Sequence, residues 1–147
     1  MTGKGAWLVA SYEIHMHESL SEERPSYGVV SKALDESRVL HARQLCEIFL
    51  SIGNYPDNVT LADLVPENDQ SALLKELETK LRDKYGSMNT KDSPRWVFHK
   101  MLLHPTDERL DGFNYKPALD TVRPLLKLIV AEIESIKGGQ FDRRLRA

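Results

Sequence analysis

Five side chains in two segments of this chain are of the types that acid–base chemistry on an anionic substrate requires. His41 and Arg43 stand in LHARQLCEIF, and Lys100, His104 and Arg109 stand in FHKMLLHPTDER. Imidazoles exchange a proton near neutral pH, and lysine and arginine offset charge that develops on phosphate oxygens. The same residues also have structural uses. His104 can cap a helix end, where a cation is favoured, and Lys100 and Arg109 can pair with Asp107, Glu108 or Glu13. His41 can make one hydrogen bond in the core while Arg43 pairs with a carboxylate such as Glu13. Both readings stay open on residue type alone.

The second segment reads as a helix from Pro94 to Leu103 or His104. Ser93 suits the N-cap, Pro94 the first helical position, and Pro105 cannot continue the helix. Spacings of three and four place Trp96, Lys100, Leu103 and His104 on one face and Arg95, His99 and Leu102 on a neighbouring strip. Thr106 can open a turn that brings Arg109 back to His104. The first segment belongs to the longest periodic stretch, Val29 to Ile52. It places Val30, Leu34, Leu45, Ile48 and Ile52 on one face, Val39, Cys46 and Leu50 on another, and leaves a Leu40, Gln44, Glu47 and Ser51 strip for solvent. A helix so apolar around its circumference is expected at the centre of the fold, ended by Gly53. His41 and Arg43 project from its apolar faces, which predicts that they meet partners, and with Lys100, His104 and Arg109 they are expected to converge on one patch.

Three more helices complete the scaffold. Ala6 to Leu20 alternates like a strand but also carries a Val9, Tyr12, Met16 and Leu20 stripe, and its length favours a helix. Glu13 and His17 in it are spaced as a metal pair could be and read as a surface pair instead. Ser71 to Tyr85 is amphipathic through Leu74, Leu77, Leu81 and Tyr85, with Gly86 as its stop. Ala118 to Lys137 carries Val122, Leu126, Ile129, Ile133 and Ile136, with Pro124 expected to kink it or mark its start. Between them, Asn54 to Glu67 is a packed loop with room for one helical turn, pinned by Val59, Leu61, Leu64 and Val65. The fold expected is all-α: a five-helix, mainly antiparallel bundle forming one domain over residues 1–147, with 138–147 a frayed basic tail.

Composition narrows the function classes. Hydrophobic content of 41% with 29% charged residues is that of a globular domain, and the apolar runs are too short to span a membrane. The apolar run Ala6 to Ala10 is also too short for a secretory signal of the usual form. A net charge of −2 provides no general attraction to nucleic acid, so an anion site must be local. The single cysteine, Cys46, lies in an apolar helix, which suits a packing role in a reducing, cytoplasmic setting rather than a nucleophile. No phosphate-cradling glycine loop occurs, and no cofactor or metal is called for. Leu125 and Leu128, beside the main stripe of the last helix, and Ile136 at the end of that stripe are expected to contribute a homodimer contact.

The order and spacing of His41, Arg43, Leu45 and Phe49, then Lys100, Leu102, His104, Thr106 and Arg109, resemble a widespread group of uncharacterised bacterial helical proteins. These carry an L-x-HAR-x-L-x-x-F segment followed by an NK-x-L-x-H-x-T-x-x-R segment; His99 replaces the usual Asn. In architecture such proteins are similar to the HEPN superfamily, which includes dimeric RNA-cleaving enzymes of toxin and defence systems and non-catalytic nucleotide-binding relatives. The resemblance implies an RNA or nucleotide ligand held by Arg43, Lys100 and Arg109. If there is turnover, it implies metal-independent RNA cleavage with His41 and His104 as acid and base. HEPN ribonucleases space their Arg and His more widely than Arg95 and His99, or Lys100 and His104, are spaced here. The alternative is a non-catalytic dimeric interaction protein in which the same residues form a buried structural network.

Overall fold

In the structure, a computed structural model, residues 3–21, 28–53, 55–103 and 115–143 are described. Among them the regular elements are all helical. They are α1 (Gly3–Ser21), α2 (Gly28–Phe49), the single turn α3 (Leu61–Leu64), a 3₁₀ turn (Glu67–Asp69), α4 (Ala72–Tyr85), α5 (Pro94–Leu103) and α6 (Lys116–Lys137). The five long helices are the five expected, and α3 is the turn for which the 54–67 loop left room.

α2 is central: it packs against α1, α4, α5 and α6. Its buried residues, however, lie in the C-terminal half, from Val39 to Leu50, whereas Val30 is 61% exposed. Cross-links fix the directions. Glu13 meets His41 and the Leu20 carbonyl accepts from Arg38, so α1 and α2 run antiparallel. Ser71, at the N-cap of α4, donates to Glu132 near the end of α6, so that pair is antiparallel too. The Tyr115 hydroxyl donates to Asp35 and ties the start of α6 to α2.

Four local expectations are corrected. α1 is a helix, but the stripe it buries is Ala6, Ala10 and Ile14, while Val9 and Tyr12 are exposed. The alanines bury little area each, yet let a neighbouring backbone approach closely, and a count of large apolar residues misses them. α2 does not run to Gly53. Ser51, at φ 54°, ends it: Ile52 N–H bonds to Glu47 O (2.9 Å) and Ser51 N–H to Ile48 O (3.1 Å), the paired bonds of a Schellman motif. α6 begins at Lys116, with Pro117 in its first turn, and continues as helix through Pro124. Residues 138–143 are not frayed. Phe141 is 3% exposed and stacks on Trp7, ring centroids 3.9 Å apart, and Arg143 pairs with Glu134 (2.6 Å) and Glu18 (3.0 Å). The stacking pair and the guanidinium give the tail the apolar and ionic anchors that a basic composition alone does not suggest; 144–147 lie outside the described residues.

Candidate functional site

α5 is set in place by its first turn. The Ser93 hydroxyl accepts from Trp96 N–H (3.2 Å) and donates to the Ser87 carbonyl (2.7 Å), with Pro94 following as the first helical residue. Gly86, at φ 75°, stops α4, and a Cβ there would come within 2.7 Å of Ser93 Cβ. The α4–α5 junction therefore tolerates only glycine at this point, and the close approach fixes where α5 enters the bundle.

So placed, α5 turns its Arg95 and His99 strip toward α2. Together with α1 and the loop after α2 they enclose a cleft of about 730 Å³. Arg43, Arg95 and His99 line it beside Glu13 and Glu47, with apolar walls from Val9, Ile48, Ile52 and Val59 and with Tyr55 and Met88 at the loop side. Arg43 pairs with Glu47 at 3.3 Å, an i,i+4 pair, not with Glu13. Glu13 is instead taken by His41, whose Nδ1 lies 2.6 Å from its Oε2. An ionised carboxylate has no proton to give, so Nδ1 carries the proton and Nε2 is the nitrogen left for other chemistry. Arg95 lies over the Tyr85 ring, 6.0 Å from its centroid, and its buried Nε has no hydrogen-bond partner. The buried Tyr85 hydroxyl also has none, and burial first, then the nearby Cys46 and Glu47, push its pKa up from the ordinary tyrosine value.

Of the residues singled out in the sequence, Arg43 lines this cleft. His41 is 6% exposed and stands behind Glu13, with Tyr12 edge-on to its ring. Lys100 does not line the cleft; its Nζ sits 5.5 Å from the Trp96 ring centroid, the neighbour that helical spacing assigned it. His104 and Arg109 lie outside the described residues. Arg95 and His99 took the place given to Lys100 and His104, because α5 presents to α2 the strip next to the one expected. The signal was present in the i,i+4 spacing of Arg95 and His99, but nothing in one helix decides which of two adjacent strips faces a partner.

Elsewhere, His17 is buried rather than paired with Glu13 at the surface. Burial, then the charges of Arg123 and His41, lower its pKa to about 4. Cys46 is fully buried, and the burial raises its thiol pKa well above the usual value, in keeping with packing and not nucleophilic attack. Among the described residues no three His, Cys, Asp or Glu side chains converge in a way that could hold a metal, and no helix is long and apolar enough to cross a membrane. Comparison with protein families, curated proteins and solved structures finds no match for this chain.

Proposed function

We propose that this chain is an anion-binding helical domain, HEPN-like in descent, whose cleft between α1, α2 and α5 takes a phosphate-bearing ligand: a nucleotide or a segment of RNA. One observation carries the reading. Arg95 stands in the wall beside Arg43 and His99 with a buried N–H that nothing in the described chain satisfies. The Nε itself is shut away from solvent, so contact with a ligand falls to the part of the Arg95 side chain that lines the cleft, where a hydrogen bond to a charged group contributes about 1.5–3 kcal/mol. Three carboxylates line the same cleft: Glu47 is paired with Arg43 and Glu13 with His41, while Asp57 stands in the loop after α2, so the cation the proposal relies on is Arg95. Exposed Tyr55 and Met88 offer a base an aromatic and an apolar surface next to the cations.

The test is a fluorescence or calorimetric titration with nucleoside mono- and diphosphates and a short single-stranded RNA at two salt concentrations. Binding is expected to weaken with salt and to be lost in Arg95→Ala while the melting curve stays nearly unchanged. Equal binding by wild type and Arg95→Ala sinks the assignment. Within the same proposal Lys100 and Arg109 remain the expected further anion contacts, and turnover belongs to His41 and His104. RNA cleavage that survives a chelator and disappears in both His41→Ala and His104→Ala would establish it.

A second reading is favoured by the two ion pairs themselves: Arg43–Glu47 and His41–Glu13 as a structural network in a non-catalytic interaction protein, with no ligand bound by any member of the panel. A homodimer belongs to either reading. Of the three α6 residues expected to support it, Leu128 is 53% exposed whereas Leu125 and Ile136 pack partly on the core, and sedimentation at high micromolar concentration decides it.

A further inference from the structure

We infer that the outward face of α1 is where two copies of this chain meet, as a reversible antiparallel helix pair about a two-fold axis. α1 buries Ala6, Ala10, Ile14 and His17. Its opposite face is made of Gly5, Leu8, Val9, Tyr12, His15, Met16 and Ser19, where Leu8 is 58%, Tyr12 47% and Val9 37% exposed. A surface helix ordinarily meets water with charge, as α4 does through its Glu76–Lys80 and Glu78–Arg82 pairs. α1 does not. No lysine or arginine occurs from Gly5 to Ser19, and the two carboxylates in that span are held elsewhere, Glu13 by His41 and Glu18 by Arg143. Among the described residues α6 exposes one large apolar residue, Leu128, where α1 exposes three.

The charge pattern selects the partner. Without cations the face lacks the electrostatic half of binding to an anionic lipid surface, and without lysine, arginine or carboxylate it gives a charged protein nothing to pair with. In a two-fold contact an unpaired charge near the axis would face its like, so a charge-free face is the one that can meet itself. Spacing supplies the register. Gly5, Leu8, Tyr12, His15 and Ser19 follow the alternating steps of three and four of a two-helix seam. With the axis between Leu8 and Tyr12 and the helices antiparallel, Leu8 packs on the partner's Tyr12 and Tyr12 on the partner's Leu8, while Gly5 leaves room for the partner's His15. A parallel pair would set His15 against its own copy and align the two helix dipoles. One helix face is smaller than the about 800 Å² per partner of a standard interface, so the dimer is reversible and forms at high concentration. Leu8 and Tyr12 do not line the Arg95 cleft, and the inference does not rest on the ligand proposed for it.

Sedimentation equilibrium of the full chain across the micromolar range, with circular dichroism of each variant, tests the inference. Wild type is expected to dimerise. Leu8→Lys and Tyr12→Glu, both at exposed positions, should each weaken dimerisation by about tenfold or more, and Leu128→Lys should leave it unchanged. An equimolar mixture of the Leu8→Lys and Tyr12→Glu chains should recover the dimer, because the introduced lysine then faces the partner's introduced glutamate. Should Tyr12→Glu unfold through its contact with His41, Leu8→Lys against Leu128→Lys decides. A wild-type monomer throughout this range, dimerisation unaltered by Leu8→Lys or lost in Leu128→Lys, or two folded, weakened variants that fail to recover on mixing overturns it. Flotation of the wild-type monomer with phosphatidylglycerol vesicles would overturn it too, by assigning the face to lipid.

Discussion

The α4–α6 and α1–α2 interfaces are built on different principles. α4 buries Leu74, Leu77, Leu81 and Tyr85, and α6 buries Val122, Leu126, Ile129 and Ile133 among others, so the first interface is held by shape and apolar area. α1 and α2 bury Ala6, Ala10, Ile14, Val39, Ala42 and Leu45, but also Ser11, His17 and His41. Hydrophobic contacts are non-directional, whereas each buried polar group needs a particular partner at a particular distance. Two clefts border α1, the Arg95 cleft through Val9 and Glu13 and one shared with α6 through Ile14, His17 and Glu18. The apolar pair is thus the frame, and the mixed pair is the part of the molecule with groups to offer a ligand.

The largest effect that separates the two lies in the frame. Leu81→Ala, at a fully buried position of α4, is expected to cost about 2–5 kcal/mol through lost transfer energy and the cavity left behind. Urea unfolding measures it. A loss under 1 kcal/mol, on the scale of an exposed site, would break the comparison by showing that α4 is not part of the stable frame.

The mixed interface should reveal itself through pH. His17 has a folded pKa near 4, below its ordinary 6.5, so between those values the unfolded chain binds the extra proton and the folded chain does not. Its contribution is complete above pH 6.5 and is lost as pH falls toward 4, amounting to about 3 kcal/mol over that window. Comparing the pH dependence of stability in wild type and His17→Gln isolates this from the carboxylates, whose titration both proteins share. Parallel profiles would mean that His17 is not shielded from water.

The same contrast explains how much was legible in the sequence. The α4 stripe, its Ser71 and Gly86 ends, the Ser93–Pro94 start of α5 and the α6 stripe follow from spacing and capping, each a property of one short segment. The buried face of α1 was misread because its contacts are made by Ala6 and Ala10, small residues that give little hydrophobic signal. Glu13 could pair with Arg43, His17 or His41, and only the packing of α1 on α2 chooses His41. Likewise the choice of the Arg95 and His99 strip over the Lys100 strip depends on how α5 is rotated at the Gly86–Ser93 contact. Partner choice is a property of two elements, and periodicity describes one.

That choice can be sharpened with Glu13→Gln. The amide keeps the size and a hydrogen-bonding oxygen but removes the charge facing His41 Nδ1, so a loss of about 1–3 kcal/mol is expected. The imidazole resonances of His41 should move with it, while those of His99 move less. No loss of stability would reduce the Glu13–His41 contact to an incidental one and leave Glu13 available to the Arg95 cleft.

The smallest effect concerns how the helices end. α4 and α6 stop on glycines at positive φ, Gly86 at 75° and Gly138 at 65°, whereas α2 stops on Ser51 at 54°. A residue with a Cβ in the left-handed region costs roughly 1 kcal/mol relative to glycine, which favours Ser51→Gly. Against this, glycine gains backbone freedom in the unfolded chain, and the Ser51 hydroxyl accepts from Leu61 N–H at 3.4 Å, a long bond to the first turn of α3. Since a bond of that length is weak, relief of the backbone should prevail, and Ser51→Gly is expected to stabilise by about 0.5 kcal/mol while Ser51→Ala, which keeps the strain and loses the bond, destabilises by about the same amount. Thermal melts of the two variants side by side separate the terms. If Ser51→Gly proves less stable than wild type, the hydroxyl outweighs the strain, and the serine at the end of α2 is there to hold α3 and the wall of the Arg95 cleft that Tyr55, Asp57, Asn58 and Val59 form rather than merely to stop the helix.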